Sequence, residues 1–239
     1  MVYELFKCPV CGATKLKEKS RNVNNQNTYV VYKCLACSSI VSHEFEEKKQ
    51  MSVNDIFKNN LKSIVEITSD FNDVSLSGTA ILLKNNYAIT NSHVVFRNGK
   101  IANCIYGNFF GDTKTFSFEL ISNDDELDLA LLSFKNVEYA ALQLDNITSQ
   151  TGERVFAIGN AIGQGLSVVD GIVSDSCRNV NGNNYIMHSA PVNHGNSGGP
   201  LFNSKGQLIG IISSSRKDAN NMSYAIPITT LIDFVKDVL

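Results

Sequence analysis

The sequence predicts an all-β protein, two six-stranded antiparallel barrels closed by a C-terminal helix and preceded by a small cysteine-bearing module. Three observations carry this. From residue 63 onward, short β-type apolar runs alternate with clusters of Gly, Asn, Asp and Ser, and they fall into two sets of six. Before residue 50 stand two Cys-x-x-Cys pairs and no comparable set of runs. The last eleven residues place Leu231, Ile232, Phe234, Val235, Val238 and Leu239 on one helical stripe.

The expected strands of the first set are 63–68, 78–83, 87–90, 101–106, 115–121 and 129–134. Those of the second are 154–158, 166–174, 185–189, 200–202, 207–213 and 223–226. Asn203-Ser-Lys-Gly206 is a turn, so its flanking runs should form a hairpin. A short helix after residue 52, capped by Asn54, should open the second domain, and Thr229 or Thr230 should cap the last helix. The charged stretch His43 to Gln50 reads as a linker, which divides the chain into a module over 1–50 and a larger domain over 51–239.

Gross composition is ordinary. The 239 residues are 43% hydrophobic and 18% charged, enough for a packed core, and the net charge of -2 offers no electrostatic reason for a nucleic acid or a membrane as the main partner. Two cysteines precede any apolar run long enough for a leader or an anchor, and a cytoplasmic protein is expected.

In such a reducing compartment, Cys8-Pro-Val-Cys11 and Cys34-Leu-Ala-Cys37, separated by twenty-two residues, point to metal rather than to disulfides. Each pair can offer two thiolates to one ion. Together Cys8, Cys11, Cys34 and Cys37 complete a tetrahedral structural zinc site with no open position, as in a zinc ribbon. Lys7, Lys15, Lys17, Lys19 and Arg21 make a mildly basic face that permits a nucleic-acid partner for the module without requiring one, and a protein partner stays equally open. Cys104 and Cys177 read as small buried apolar side chains with no chemistry.

Three strings carry chemistry. In Gly195-Asn-Ser-Gly-Gly-Pro200, glycines permit a tight turn that exposes a serine hydroxyl beside free backbone N–H groups, the needs of a nucleophile and its oxyanion hole. Ser197 is the candidate nucleophile, with the N–H groups of Gly195 and Ser197 as oxyanion donors. His93 follows an apolar strand in a short polar turn, where a base can reach a cleft. Asp128 abuts the apolar run Leu129-Ala-Leu-Leu and is suited to hold a His93 ring N–H, whereas Asp124, Asp125 and Glu126 read as exposed turn charges. His188 and His194 read as structural, and Gly159 to Gly165 as a loop, since it lacks the Lys-Ser/Thr ending of a phosphate loop.

Thr90-Asn-Ser-His93-Val-Val, Asp128-Leu-Ala-Leu-Leu and Gly195-Asn-Ser197-Gly-Gly-Pro-Leu, in that order, resemble the motifs of the HtrA/Deg branch of trypsin-like serine proteases. Ile158-Gly-Asn-Ala-Ile-Gly163, Asp170-Gly-Ile-Val-Ser174 and Tyr224-Ala-Ile-Pro227 extend the likeness over about residues 54 to 239. The resemblance implies a His93, Asp128, Ser197 triad at the seam of two perpendicular barrels and serine endopeptidase activity on protein or peptide substrates. It also implies a primary pocket lined by Ala190, Pro191, Val192, Ser223 and Tyr224; none is acidic, so cleavage after small or medium apolar residues is expected. The rival reading is a zinc-ribbon adaptor, or a nucleic-acid-binding protein, on an inactive protease-like scaffold. Oligomeric state is left open.

Overall fold

A computed structural model describes residues 7–23, 27–46, 50–135, 139–215 and 222–239. It divides into two compact units, Met1–Gln50 and Met51–Leu239.

In the first unit, β1 (Leu16–Val23), β2 (Asn27–Cys34) and β3 (Ile40–Glu46) form an antiparallel sheet in that order. The two cysteine pairs sit on matching turns: the Gly12 N–H donates to the Cys8 carbonyl at 2.8 Å and the Ser38 N–H to the Cys34 carbonyl at 3.0 Å. Cys8 and Cys34 are buried with Val30, Tyr32 and Val41. So small a core needs a further constraint to hold. The stretch expected to be a linker is strand as far as Glu46, with Phe45 opposite Thr28 and His43 opposite Val30. Continuation of the ladder from β2 outweighs the charge of these residues. Residues 47–49 lie outside the described set.

The second unit opens with α1 (Val53–Asn60), whose cap is Ser52 and not Asn54: the Ser52 hydroxyl accepts from the Asp55 N–H at 3.1 Å. Then come β4 (Ile64–Asp70), β5 (Ser75–Leu83), β6 (Tyr87–Thr90) and a single helical turn, α2 (Ser92–Val95). A short ribbon, β7 (Phe96–Arg97) with β8 (Lys100–Ile101), precedes β9 (Cys104–Phe109), β10 (Thr115–Asp124) and β11 (Leu129–Phe134). Strands β10-β11-β6-β5-β4-β9 close into a barrel. The fourth expected strand therefore begins later, because Lys100–Ile101 turns back on Phe96–Arg97 instead.

A second closed barrel, β12-β13-β14-β17-β16-β15, follows. Its strands are β12 (Arg154–Gly159), β13 (Ser167–Val180), β14 (Asn183–His188), β15 (Pro200–Asn203), β16 (Leu208–Ser215) and β17 (Ser223–Pro227). β13 runs six residues past its expected end through polar Asp175 to Val180, carried by two irregular steps in its pairing with β14, and Cys177 on this extension is exposed, as Cys104 is at the start of β9, where burial was expected. The closing helix, α3 (Ile228–Val235), is capped by Pro227 and not by a threonine, and it buries Ile228, Leu231 and Val235.

Apolar runs without alternation have a physical reason here. Ala80, Leu82, Ala88, Ala130 and Leu132 point into the first barrel, while their neighbours Ile81, Leu83, Ile89, Leu129 and Leu131 point outward into a core shared with Phe156, Ile158, Phe202, Ile211 and Ile226 of the second. Val155, Ala157, Leu201 and Ile212 fill the second barrel. A strand buried on both faces carries apolar residues at every position.

An imidazole is among the polar groups inside this packing. His188, on β14 between Val173 and Ser223, is fully buried and neither ring nitrogen has a hydrogen-bond partner among the described residues. Burial disfavours the imidazolium and lowers its pKa from 6.5 to about 4. The folded protein therefore holds His188 neutral where the unfolded chain would take up a proton. The contribution is complete above about pH 6.5 and is lost as pH falls towards 4, by about 1 kcal/mol per pH unit. Urea unfolding at pH 7 and pH 5 should show this loss, and His188→Leu should flatten that part of the slope; an unchanged slope in the variant would assign it elsewhere.

Candidate active site

The candidate catalytic residues come from strand ends at the barrel seam. His93 lies on the α2 turn just after β6, and Asp128 immediately precedes β11. β6 and β11 are paired, Thr90 opposite Ala130, which brings the histidine turn and the acid side by side. His93 Nδ1 is 2.8 Å from Asp128 Oδ1 and 3.0 Å from Oδ2, and the His93 backbone N–H also donates to Oδ1 at 3.1 Å. Asp128 adopts φ 55, a left-handed conformation that Asp tolerates, and its carbonyl accepts from Asn91 Nδ2 at 3.0 Å. The carboxylate is mostly enclosed, with 19% of its side chain exposed against 50% for His93.

Ser197 reaches this pair through a residue that the sequence reading passed over. Ser213, within β16, donates its hydroxyl to Asp128 Oδ2 at 2.6 Å, and its carbonyl accepts from Ser197 Oγ at 2.9 Å. Among the described residues no hydrogen bond joins Ser197 Oγ to the His93 ring. A serine closing the run Ile209-Gly-Ile-Ile-Ser213 offered no signal beyond a polar break in an apolar strand.

The turn around Ser197 is tightly determined. A Cβ on Gly195 (φ +93) would lie 2.0 Å from the Asn160 carbonyl oxygen, and one on Gly198 (φ +84) would lie 1.9 Å from that of Thr79. Only glycine fits either place. The His194 carbonyl accepts from the Ile162 N–H at 2.7 Å. The peptide bonds among the described residues are trans, so the N–H of the same peptide, that of Gly195, faces the opposite way. Neither the Gly195 nor the Ser197 N–H has a protein acceptor among the described residues. Gly159 to Gly165, expected to be a plain loop, supplies this anchor, while His194 itself is exposed.

Of the expected pocket residues, Ala190 and Ser223 are buried and joined, the Ser223 hydroxyl donating to the Ala190 carbonyl at 3.1 Å. Val192 packs on the second barrel's core, Tyr224 stacks edge-on to Tyr185 with ring centres 6.0 Å apart, and Pro191 is exposed. Residues 216–221, which follow Ser215, lie outside the described set. The acidic turn is less idle than expected: Asp124 Oδ1 accepts from the Leu127 N–H at 2.9 Å and Asp125 accepts from the Ser92 hydroxyl.

In the first unit the four cysteine sulfurs lie within 4.8 Å of one another. Cys8 and Cys37 are 3.7 Å apart and Cys11 and Cys34 3.6 Å. A tetrahedron with Zn–S bonds of about 2.3 Å sets its sulfurs roughly 3.8 Å apart, so the donor set fits one ion. The Ser39 hydroxyl, then the Ser39 N–H, lowers the Cys37 thiol to about 6. The basic face is partly neutralised, since Arg21 pairs with Glu18 at 3.0 Å.

A family model described as the trypsin-like peptidase domain matches residues 78–211. The chain belongs to that family. Relatives of this trypsin-like chain include the serine protease Do-like HtrB of Bacillus subtilis, 37% identical over 167 residues, covering 64% of this chain and 35% of that protein. The serine endoprotease DegS of Haemophilus influenzae is 34% identical over 173 residues, covering 69% and 49%. Among solved structures, the serine endoprotease from Yersinia pestis superposes with a TM-score of 0.68 at 27% identity, covering 79% of this chain and 66% of that one. The HtrA-type protease AlgW with a tripeptide gives 0.70 at 27% identity, covering 79% and 64%. The trypsin-like chain spans less than half the length of these two curated relatives.

The expected cytoplasmic location is corrected by the same comparisons. DegQ of Escherichia coli, 36% identical over 143 residues, and a DegP-like protein of Buchnera aphidicola, 36% identical over 160, are named periplasmic. The expectation rested on the absence of a leader-like apolar run ahead of Cys8, and such an absence does not fix a compartment. No helix among the described residues is long and apolar enough to cross a membrane.

Proposed function

We propose that the chain is a serine endopeptidase that hydrolyses peptide bonds through an acyl-enzyme, with His93 as base, Asp128 as its orienting acid and Ser197 as nucleophile. The observation behind this reading is the 2.8 Å contact of His93 Nδ1 with a carboxylate that is bridged to Ser197 by Ser213. Asp128 keeps the proton on Nδ1, which leaves Nε2 free to receive one. A rotation of Ser197 about Cα–Cβ releases the Ser213 carbonyl and turns Oγ towards the ring, an adjustment of the kind that substrate binding completes. Oγ attacks the scissile carbonyl while its proton passes to His93. The oxyanion accepts from the Gly195 and Ser197 N–H groups, His93 protonates the leaving amine, and water repeats the sequence on the ester. A fluorophosphonate probe should label the protein at Ser197 and fail on Ser197→Ala, and Asp128→Asn should slow turnover roughly 10⁴-fold. Absence of labelling would favour the inactive-scaffold alternative.

Specificity follows from Ala190, Pro191, Val192, Ser223 and Tyr224. With no acid among them, a cationic side chain would lose its hydration without a counter-charge, so cleavage after small or medium apolar residues is the reading. A peptide library should show that preference, and dominant cleavage after Arg or Lys would reject it.

Cys8, Cys11, Cys34 and Cys37 would hold a structural zinc, which supplies folding energy to the three-stranded sheet and takes no part in hydrolysis. Elemental analysis of the purified protein should find one zinc per chain, lost in a Cys8→Ser/Cys34→Ser variant. Chelation should then abolish protection of the β1–β3 amides and leave that of the barrels unchanged; a metal-free protein with protected β1–β3 amides would refute the assignment.

A further inference from the structure

We propose that the Thr79 hydroxyl is a positioning group that holds the oxyanion-binding turn in its working conformation; the inference rests on the acyl-transfer reading above. Thr79 lies on β5 of the first barrel and is fully buried. Its N–H donates to the Ser197 carbonyl at 2.8 Å, and its hydroxyl donates to the Gly195 carbonyl at 2.7 Å. The same oxygen accepts from the Asn160 N–H at 3.1 Å, and the Thr79 carbonyl accepts from the Thr90 hydroxyl at 2.7 Å. One residue of the first barrel thus grips the turn of the second at both ends. It also ties that turn to the 159–165 loop and to the strand that leads into His93.

The hydroxyl has a single proton, and the Gly195 carbonyl takes it. Its lone pair takes the Asn160 N–H. The loop so held is braced again by the Gly165 N–H on Asn160 Oδ1 at 2.8 Å, and it returns the Ile162 N–H to the His194 carbonyl at 2.7 Å. Both carbonyls flanking the Gly195 N–H are therefore fixed from outside, one by Thr79 and one by Ile162. Gly195 needs this. At φ +93 it has the conformational freedom that brought it there, and the same freedom would let the peptide swing away and take an oxyanion donor with it. Packing alone does not explain the residue, because valine has the same shape and fills the same space; the difference is the pair of hydrogen bonds. Nothing in Ser77-Gly-Thr-Ala80 marks this threonine in the sequence, since its partners lie 81 and 116 residues away.

The test compares Thr79→Val and Thr79→Ser in the full chain, with kcat and KM on a peptide substrate, the rate of fluorophosphonate labelling, thermal midpoint and amide exchange at Ile162. Thr79→Val should lower kcat about 10- to 100-fold with KM within about twofold, the size expected when an oxyanion donor is misplaced but not removed. The Ile162 amide should exchange at least about tenfold faster, and Thr79→Ser, which keeps the hydroxyl, should stay within about threefold of the parent in both respects. Unchanged kcat in Thr79→Val overturns the inference. So does equal impairment of the serine variant, which would make the γ-methyl the agent, and so does unaltered Ile162 exchange. A parent protein that neither cleaves nor labels would sink the peptidase reading instead, while the Ile162 amide would still decide whether Thr79 restrains the turn.

Discussion

The shared core between the barrels is the constraint from which the rest of the site follows. Ile81, Leu83, Ile89, Leu129 and Leu131 turn their backs on the first barrel to meet Phe156, Ile158, Phe202, Ile211 and Ile226 of the second. Fully burying such a side chain is worth about 1.5–3 kcal/mol, so the seam rivals a barrel interior as a source of stability. The candidate catalytic groups sit at the ends of these same strands. His93 follows β6 and Asp128 precedes β11, while Ser213, which bonds Asp128, lies within β16, so the packing that joins the barrels also sets the distances among these candidate groups.

Polar contacts refine what the apolar seam brings near. The Ser92 hydroxyl on Asp125, Asn91 on the Asp128 carbonyl and the Ser213 hydroxyl on the Asp128 carboxylate all steady the segments that carry His93 and Asp128. Thr79 and Thr90 do the same for the Ser197 turn. Each is a short side chain in or beside an apolar strand, and each donates to a backbone carbonyl or a carboxylate. His188 stands apart in another way: neither of its ring nitrogens has a partner among the described residues, and burial holds it neutral. A core that keeps such a group accepts a pH-dependent stability in return.

The first unit follows a different logic. Its sheet buries only a few side chains, and two of those are cysteines whose sulfurs meet the other pair at ligand distance. The sheet and the donor set are two parts of one stability problem. A core of this size does not order three strands by itself, and four thiols do not converge without the strands that carry them.

What the sequence by itself determined was local or motif-borne. Two sets of six strands, the cysteine quartet, and the strings holding His93, Asp128, Ser197 and Gly195 were legible because turn chemistry, apolar runs and the spacing of reactive residues are written in neighbouring positions. The charged end of β3 and the polar second half of β13 were not, since pairing with an adjacent strand overrode their composition. Helix caps were misplaced by two or three residues, since several neighbouring residues suit a helix start: Ser52, not Asn54, accepts from the Asp55 N–H, and Pro227 precedes the first turn of α3 in place of Thr229 or Thr230. Ser213, Thr79 and the Ile162 anchor were decided by tertiary structure alone. A hydroxyl or an N–H acquires its role from the partner it meets, and these partners lie on loops and strands that only the closed barrels bring into contact.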